Sequence, residues 1–393
     1  MSAVIVSAKR TPIGRFCGSF ADLSSAELGA VAAKAAVEAA GIKPEQVDEL
    51  IFGNGRQAGG GPNVARQVVR RAGLPDTVPA YTINKACASS LKAISLAAQT
   101  ILAGDADIIV AGGTESMTRL PFLLERERMG YRLGHAEVVD AMYKDGFLCP
   151  LCGQLMGETA ENLAEKYAIP RLEQDEYAVE TQARCEKARK AGRFKDEIAP
   201  VSVKSREGPK TIDGDEHPRD GATLESLAKL PPVFKKDGTV HAGNSSGITD
   251  GAAAVVVMSE AKSTSLGLKP LARILASTTA GVDPKFMGIG PVPAIRKLEA
   301  RTGLKLGDFD LVELNEAFAA QIIACDRELK FDRERLNVNG GAIALGHPIG
   351  ATGARIVVTL LHEMKKRNAR RGLATLCVSG GLGMAVAFEA PSP

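Results

Sequence analysis

Gly41-Ile-Lys-Pro-Glu-Gln-Val-Asp-Glu-Leu-Ile-Phe-Gly-Asn54 decides the fold, because the chain repeats it as Gly303-Leu-Lys-Leu-Gly-Asp-Phe-Asp-Leu-Val-Glu-Leu-Asn315. Each copy follows an amphipathic helical pattern, enters an apolar strand and ends on asparagine. The downstream spacing repeats too. Cys87 lies 33 residues after Asn54, and His347 lies 32 after Asn315. Each segment then closes on an apolar strand with paired glycines, Asp107 to Gly113 and Leu373 to Gly381. A recurring unit of this kind reads as a duplicated half-domain. It puts Cys87 and His347 at comparable points of the two halves, where they would meet at a central junction.

Around the first copy, strands alternate with helices. Val4 to Val6 reads as a buried strand, and Ser24 or Ser25 caps a helix that stops at Gly41. Asp48 to Phe52 is a strand, Asn63 to Arg71 a helix, Cys87 to Leu102 a long apolar helix, and Asp107 to Ala111 a strand. This alternation predicts a mostly parallel α/β sheet covered by helices on both faces. Residues 118–245 differ. They are polar and charged, with turn clusters such as Asp213-Gly-Asp-Glu-His-Pro-Arg219, and read as an insertion that covers a site.

Composition narrows the function. Hydrophobic residues make up 45% and charged residues 24%, which is ordinary globular chemistry. A net charge of +3, scattered Lys and Arg, 4% aromatics and no Trp argue against a nucleic-acid surface. The apolar core of Met1 to Arg10 is too short for a signal peptide, and the apolar run Ala252 to Met258 is too short for a membrane span. Seven cysteines without a secretion signal fit a reducing compartment. These features predict a soluble cytoplasmic protein.

Several residues are candidates for chemistry, and each alone has a plain structural reading. Cys87, in Asn84-Lys-Ala-Cys-Ala-Ser-Ser-Leu-Lys-Ala93, falls at a helix start, where free N–H groups favour a thiolate. It could equally be a buried structural thiol. His347 sits in the glycine-rich run Asn339-Gly-Gly-Ala-Ile-Ala-Leu-Gly-His-Pro-Ile-Gly-Ala-Thr-Gly-Ala-Arg355, which suits proton transfer better than a core. Cys377 ends a strand that enters a glycine turn, whose N–H groups can hold an oxyanion. Asn315 either caps a helix or presents its amide to a ligand. Cys149-Pro-Leu-Cys152 is a lone CxxC with no second ligand pair, so a metal site is not expected. Phe52-Gly-Asn-Gly-Arg-Gln-Ala58 mimics a dinucleotide fingerprint but lacks its βαβ context, and reads as a loop facing the site. A nucleophilic Cys, a His base and a second Cys together suit acyl transfer through a thioester.

In these residues the chain resembles the thiolase family, the acetyl-CoA acetyltransferases and 3-ketoacyl-CoA thiolases. The resemblance spans the whole chain. It rests on Asn84-Lys-Ala-Cys-Ala-Ser, Ala111-Gly-Gly-Thr-Glu-Ser-Met117, Ala242-Gly-Asn-Ser-Ser-Gly247, Asn315-Glu-Ala-Phe318, Gly340 to Arg355 and the Cys377 turn, in the family's order. It implies a layered αβαβα fold of two similar half-domains with an inserted loop domain. The N-terminal half would be 1–117 plus 246–268, the loop domain 118–245, and the C-terminal half 269–393.

The resemblance also implies roles. Cys87 would carry the acyl group, His347 would take its proton, and Cys377 would move a proton at the α-carbon of acetyl-CoA. Asn315 would hold a water that forms one oxyanion hole with His347. The backbone N–H groups of Cys87 and Ser379 would form the other. Arg219, Ser226, Phe234, Ala242, Ser246 and Gly247 would line the coenzyme A path, and Met156, Met287 and Phe318 the acyl pocket. Coenzyme A would be a substrate, with no permanently bound cofactor, and the protein would be a homodimer or homotetramer. Ser90 and Ser379 stand where relatives carry Gly, and Leu155 where short-chain enzymes carry His. A ketoacyl synthase pairs its Cys with two His, or His and Asn, so Cys377 favours the thiolase. A catalytically silent binding module would not need all four reactive positions.

Overall fold

The computed structural model describes residues 2–391. Its main sheet contains β1 (Ala3–Arg10), β2 (Glu49–Gly53), β3 (Ala80–Ile83), β4 (Ile108–Ser116), β5 (Thr249–Ser259), β6 (Ala272–Gly281), β7 (Leu311–Leu314), β8 (Arg371–Val378) and β9 (Leu382–Glu389). Their order is β7-β8-β9-β6-β1-β5-β4-β2-β3. Outward from the β1–β6 contact the two sides match. One runs β1-β5-β4-β2-β3 and the other β6-β9-β8-β7, with Leu336 bridging Val312 in parallel where a fifth strand would lie. In unit terms both read first, fifth, fourth, second, third. The repeat seen in the sequence is thus a repeat of topology.

The sheet is mixed, not mostly parallel as the alternation predicted. β2–β3, β2–β4 and β7–β8 are parallel, while β1–β5, β4–β5, β1–β6, β6–β9 and β8–β9 are antiparallel. Within each unit the fifth strand runs against the others. A parallel neighbour needs a crossover over the sheet, usually a helix. The fifth strand has none on its own sheet. β9 returns through the short turn after Val378, and β5 through the long insertion.

Eight helices complete the frame: α1 (Ser25–Ala40), α2 (Val64–Arg71), α3 (Ser89–Ala103), α4 (Met156–Lys166), α5 (Arg171–Lys190), α6 (Pro291–Thr302), α7 (Ala319–Leu329) and α8 (Ile349–Arg367). Ser24 caps α1 in a reciprocal box with Glu27, and Gly41 ends it at φ 69. Successive strand residues face opposite ways, and this sorts the core into layers. Ile5, Ile109 and Val255 from one unit, and Leu376, Val386 and Phe388 from the other, pack on α3 and α8. Their neighbours Val4, Ile108 and Val256 face α1 and α2, and Leu373, Ala385 and Ala387 face α6 and α7. The layers are αβαβα, with α3 and α8 in the centre.

α3 with the turn before it is long and apolar enough, by length and composition, to cross a membrane. Its place between two sheet faces accounts for that composition. α3 and α8 meet closely near their starts. Ala354 N–H donates to Ser90 Oγ at 2.9 Å, and a Cβ on Gly353 would lie 2.4 Å from Leu91 N. Only glycine permits that approach. Ser90 therefore faces α8 rather than the cavity described next.

Candidate active site

Cys87 sits in a 3-10 turn, Ala86–Ala88, that runs into α3. Ala86 holds φ at 44°, an unusual value for alanine. The turn is tied down on both sides. Ala86 N–H donates to Asn84 Oδ1 at 2.9 Å, and Ser89 Oγ donates to Ala86 O at 2.6 Å while accepting from Lys85 N–H at 2.8 Å. Strain of this kind persists where surrounding bonds over-determine it. Here it aims a half-buried thiol into a cavity.

His347 lies just before α8, and its backbone N–H donates to Gly247 O at 3.1 Å. Its Nδ1 is 2.6 Å from Thr352 Oγ1, which donates its own proton to Pro348 O at 2.9 Å. A hydroxyl has one proton to give. The network therefore assigns Nδ1 as the donor and leaves Nε2 as the acceptor. Cys377, at the end of β8, is fully buried. The next turn brings the Ser379 N–H to the Cys87 sulfur.

One cavity of about 550 Å³ is lined by Cys87, His347, Cys377 and Ser379. The same cavity is lined by Arg219, Phe234, Ala242, Ser246 and Gly247, and by Met156, Met287 and Phe318. Phe234 stacks edge-on against Phe318, with ring centroids 6.2 Å apart. Two expected residues stand outside this lining. Ser226 is exposed, and its hydroxyl donates to Thr223 O at 2.7 Å as part of a helix cap. Asn315 is fully buried at the end of β7, and its side-chain nitrogen and oxygen both lack a protein partner. Buried amides are normally satisfied, often by an ordered water.

The helix-start position was expected to lower the Cys87 pKa, but burial raises it. Nearby Arg56 and the N–H groups of Ser379 and Cys87 oppose that shift without reversing it. Burial also pushes Cys377 well up, helped by the neighbouring Cys87. Burial, then Arg355 and Arg56, depress His347 from 6.5 to about 3. Both shifts favour a neutral thiol and a neutral imidazole.

Two buried carboxylates shape the site and were given no role from sequence. Glu115 accepts from Asn54 Nδ2 at 2.7 Å, Gly55 N at 2.9 Å and Gly350 N at 2.8 Å, which ties the loop after β2 to the start of α8. Burial raises it to about 7 against the pull of Arg56. Glu316 does the same in the other unit, accepting from Tyr177 Oη at 2.7 Å and Ile343 N at 3.1 Å. Both lie inside motifs quoted above. Their role was hidden because the donors come from distant segments.

The chain matches two family models in sequence: Thiolase, N-terminal domain, over residues 3–261, and Thiolase, C-terminal domain, over residues 268–390. The chain belongs to the thiolase family. This thiolase is 55% identical over 387 residues to an acetyl-CoA acetyltransferase of Cupriavidus necator, covering 98% of each chain. Its fold matches the crystal structure of the Bacillus anthracis acetyl-CoA acetyltransferase with a TM-score of 0.97 at 47% identity, covering 99% of both. It matches human mitochondrial 3-ketoacyl-CoA thiolase in complex with CoA at 0.96 and 44%, covering 99% of this chain and 98% of that one. The thiolase is accordingly an acyltransferase.

Proposed function

We propose that the thiolase moves an acyl group between a 3-ketoacyl-CoA and CoA through a thioester on Cys87. The observation that carries this is one cavity lined by Cys87, His347 and Cys377, with the Ser379 N–H at the Cys87 sulfur. His347 Nε2 takes the thiol proton as Cys87 Sγ attacks the 3-keto carbon. The oxyanion that forms is held by N–H groups of the Cys87 and Ser379 turns. The bond between the α- and β-carbons breaks, and Cys377 protonates the departing acetyl-CoA carbanion. CoA thiol then gives its proton to the Cys377 thiolate and attacks the acyl-Cys87 carbonyl, the Cys87 sulfur leaves and takes back the proton held on His347, and acyl-CoA departs. The reverse sequence condenses two acetyl-CoA into acetoacetyl-CoA. Splitting the carbon–carbon step in two lowers each barrier.

The fixed tautomer leaves His347 Nε2 unprotonated and able to accept the thiol proton. A water held by the unpartnered Asn315 amide supplies the second oxyanion donor. Residues 118–245 act as the loop domain that holds CoA, with Arg219 and Phe234 at its walls. The working form is a homo-oligomer. Mixing the protein with acetoacetyl-CoA and CoA tests the reading. Two acetyl-CoA per acetoacetyl-CoA are expected, and binding without cleavage would overturn it.

A further inference from the structure

Arg56 is the residue in this cavity that the reaction above leaves without a task. It lines the cavity with Cys87, Ile349 and Phe147, and it is only 6% exposed. Its guanidinium hydrogen-bonds two backbone carbonyls, Gly55 O at 3.3 Å and Gly146 O at 3.0 Å, and its Nε is buried without an acceptor. A guanidinium carries five N–H donors and always a full charge. Such a group inside an apolar cavity is costly unless an anion meets it.

No carboxylate accepts a hydrogen bond from this guanidinium. Glu115 senses the Arg56 charge, but its oxygens receive the Asn54 amide and the N–H groups of Gly55, Arg56 and Gly350. The cavity lining contains three arginines and two histidines and no Asp or Glu. Arg15 and Arg219 are exposed, whereas Arg56 is buried. The guanidinium is also fixed in place. A Cβ on Gly146 would sit 2.7 Å from its Nε, so the chain passes flat against it. The side of the cavity near Cys87 is otherwise apolar, built from Met117, Ile349, Phe147 and Ile248.

We infer that Arg56 makes this a site for 3-ketoacyl thioesters whose far end carries a carboxylate. The apolar wall takes the methylene chain and the Arg56 guanidinium, where it lines the cavity, takes the terminal carboxylate as a charge-assisted pair in a dry pocket. This inference rests on the thiolase reading and names its substrate class.

The test compares two six-carbon substrates of equal length, 3-oxoadipyl-CoA with its terminal carboxylate and neutral 3-oxohexanoyl-CoA, alongside acetoacetyl-CoA. The wild-type protein is expected to favour the carboxylate substrate in kcat/KM by about 10- to 100-fold, the worth of one charged hydrogen-bonded pair. Arg56→Leu should bring that ratio to one or below, and Arg56→Lys should keep part of it. Arg56→Gln, which can still donate to Gly146 O, serves if the leucine variant fails to fold. Equal rates for the two six-carbon substrates in the wild type would overturn the inference while leaving acetoacetyl-CoA cleavage, and the thiolase reading, intact. An equal loss on both substrates in the Arg56 variants would also overturn it, by assigning Arg56 to Cys87 instead. Cleavage of none of the three would remove the reading and the inference together.

Discussion

Thr352 Oγ1 lies 2.6 Å from His347 Nδ1, one helical turn into α8. Because this hydroxyl already donates to Pro348 O, it can only accept from the ring. The protonated nitrogen of the imidazole is thus set by a residue outside the cavity lining. Thr352→Val keeps the shape and removes the acceptor. We expect kcat to fall about 10²-fold, the lower end of the ~10²–10⁴ that a positioned base contributes. KM should change little and Thr352→Ser should restore the rate. A valine variant with wild-type kcat would remove Thr352 from this role.

The two cysteines should separate into two half-reactions. Cys87→Ser is expected to lose turnover by orders of magnitude while keeping its unfolding transition. Cys377→Ala should still be acylated on Cys87, yet stop exchanging the α-protons of acetyl-CoA with solvent deuterium. Mass spectrometry of the acyl-enzyme and NMR of the exchange read the two steps apart. Normal exchange in the Cys377 variant would contradict its assignment.

His347 gives the stability of the fold a pH dependence of defined sign. Its folded value, about 3, lies below the ordinary 6.5. Between these values the unfolded chain takes up a proton that the folded site refuses. Stability is therefore lost as pH falls from about 6.5 towards 3, with a slope of up to about 1.4 kcal/mol per pH unit. Burial lowers His217 and His362 as well, so His347→Gln should shrink the slope rather than abolish it. Urea midpoints at about pH 7 and about pH 5 measure this. An unchanged slope in the variant would show that His347 titrates normally.

Gly353→Ala should damage both stability and rate. The new Cβ would lie 2.4 Å from Leu91 N and 2.6 Å from Leu91 Cβ, and the first of these is backbone. Relieving the overlap pushes α3 and α8 apart at a cost of about 1–3 kcal/mol. Cys87 and His347 lie just before those helices, so kcat should fall with the denaturation midpoint. Gly307→Ala, with no atom within 4 Å, is the control and should do neither. Equal midpoints for the two variants would mean that the helices have slack.

Local signals were legible where local physics acts. The Ser24 cap, the Gly41 stop and the buried strands around Ile109 and Val256 follow from capping chemistry and apolar runs. The repeat Gly41–Asn54 and Gly303–Asn315 carried the two-unit fold, because each unit must bury the same faces. Strand direction was not legible. An apolar run looks the same either way along the sheet, and only the missing crossover before β5 and β9 reverses them.

By itself the sequence determined which residue types stand at the repeat's matched points: Cys87, His347, Cys377 and Asn315, and with them the family. Tertiary structure alone decided their states. Burial raised the Cys87 thiol that the helix start was expected to lower, since desolvation outweighs a few N–H groups. It also left the Arg56 Nε and the Asn315 amide without a protein partner. Such outcomes depend on what packs around a group from every side, and those neighbours come from segments far apart in the chain.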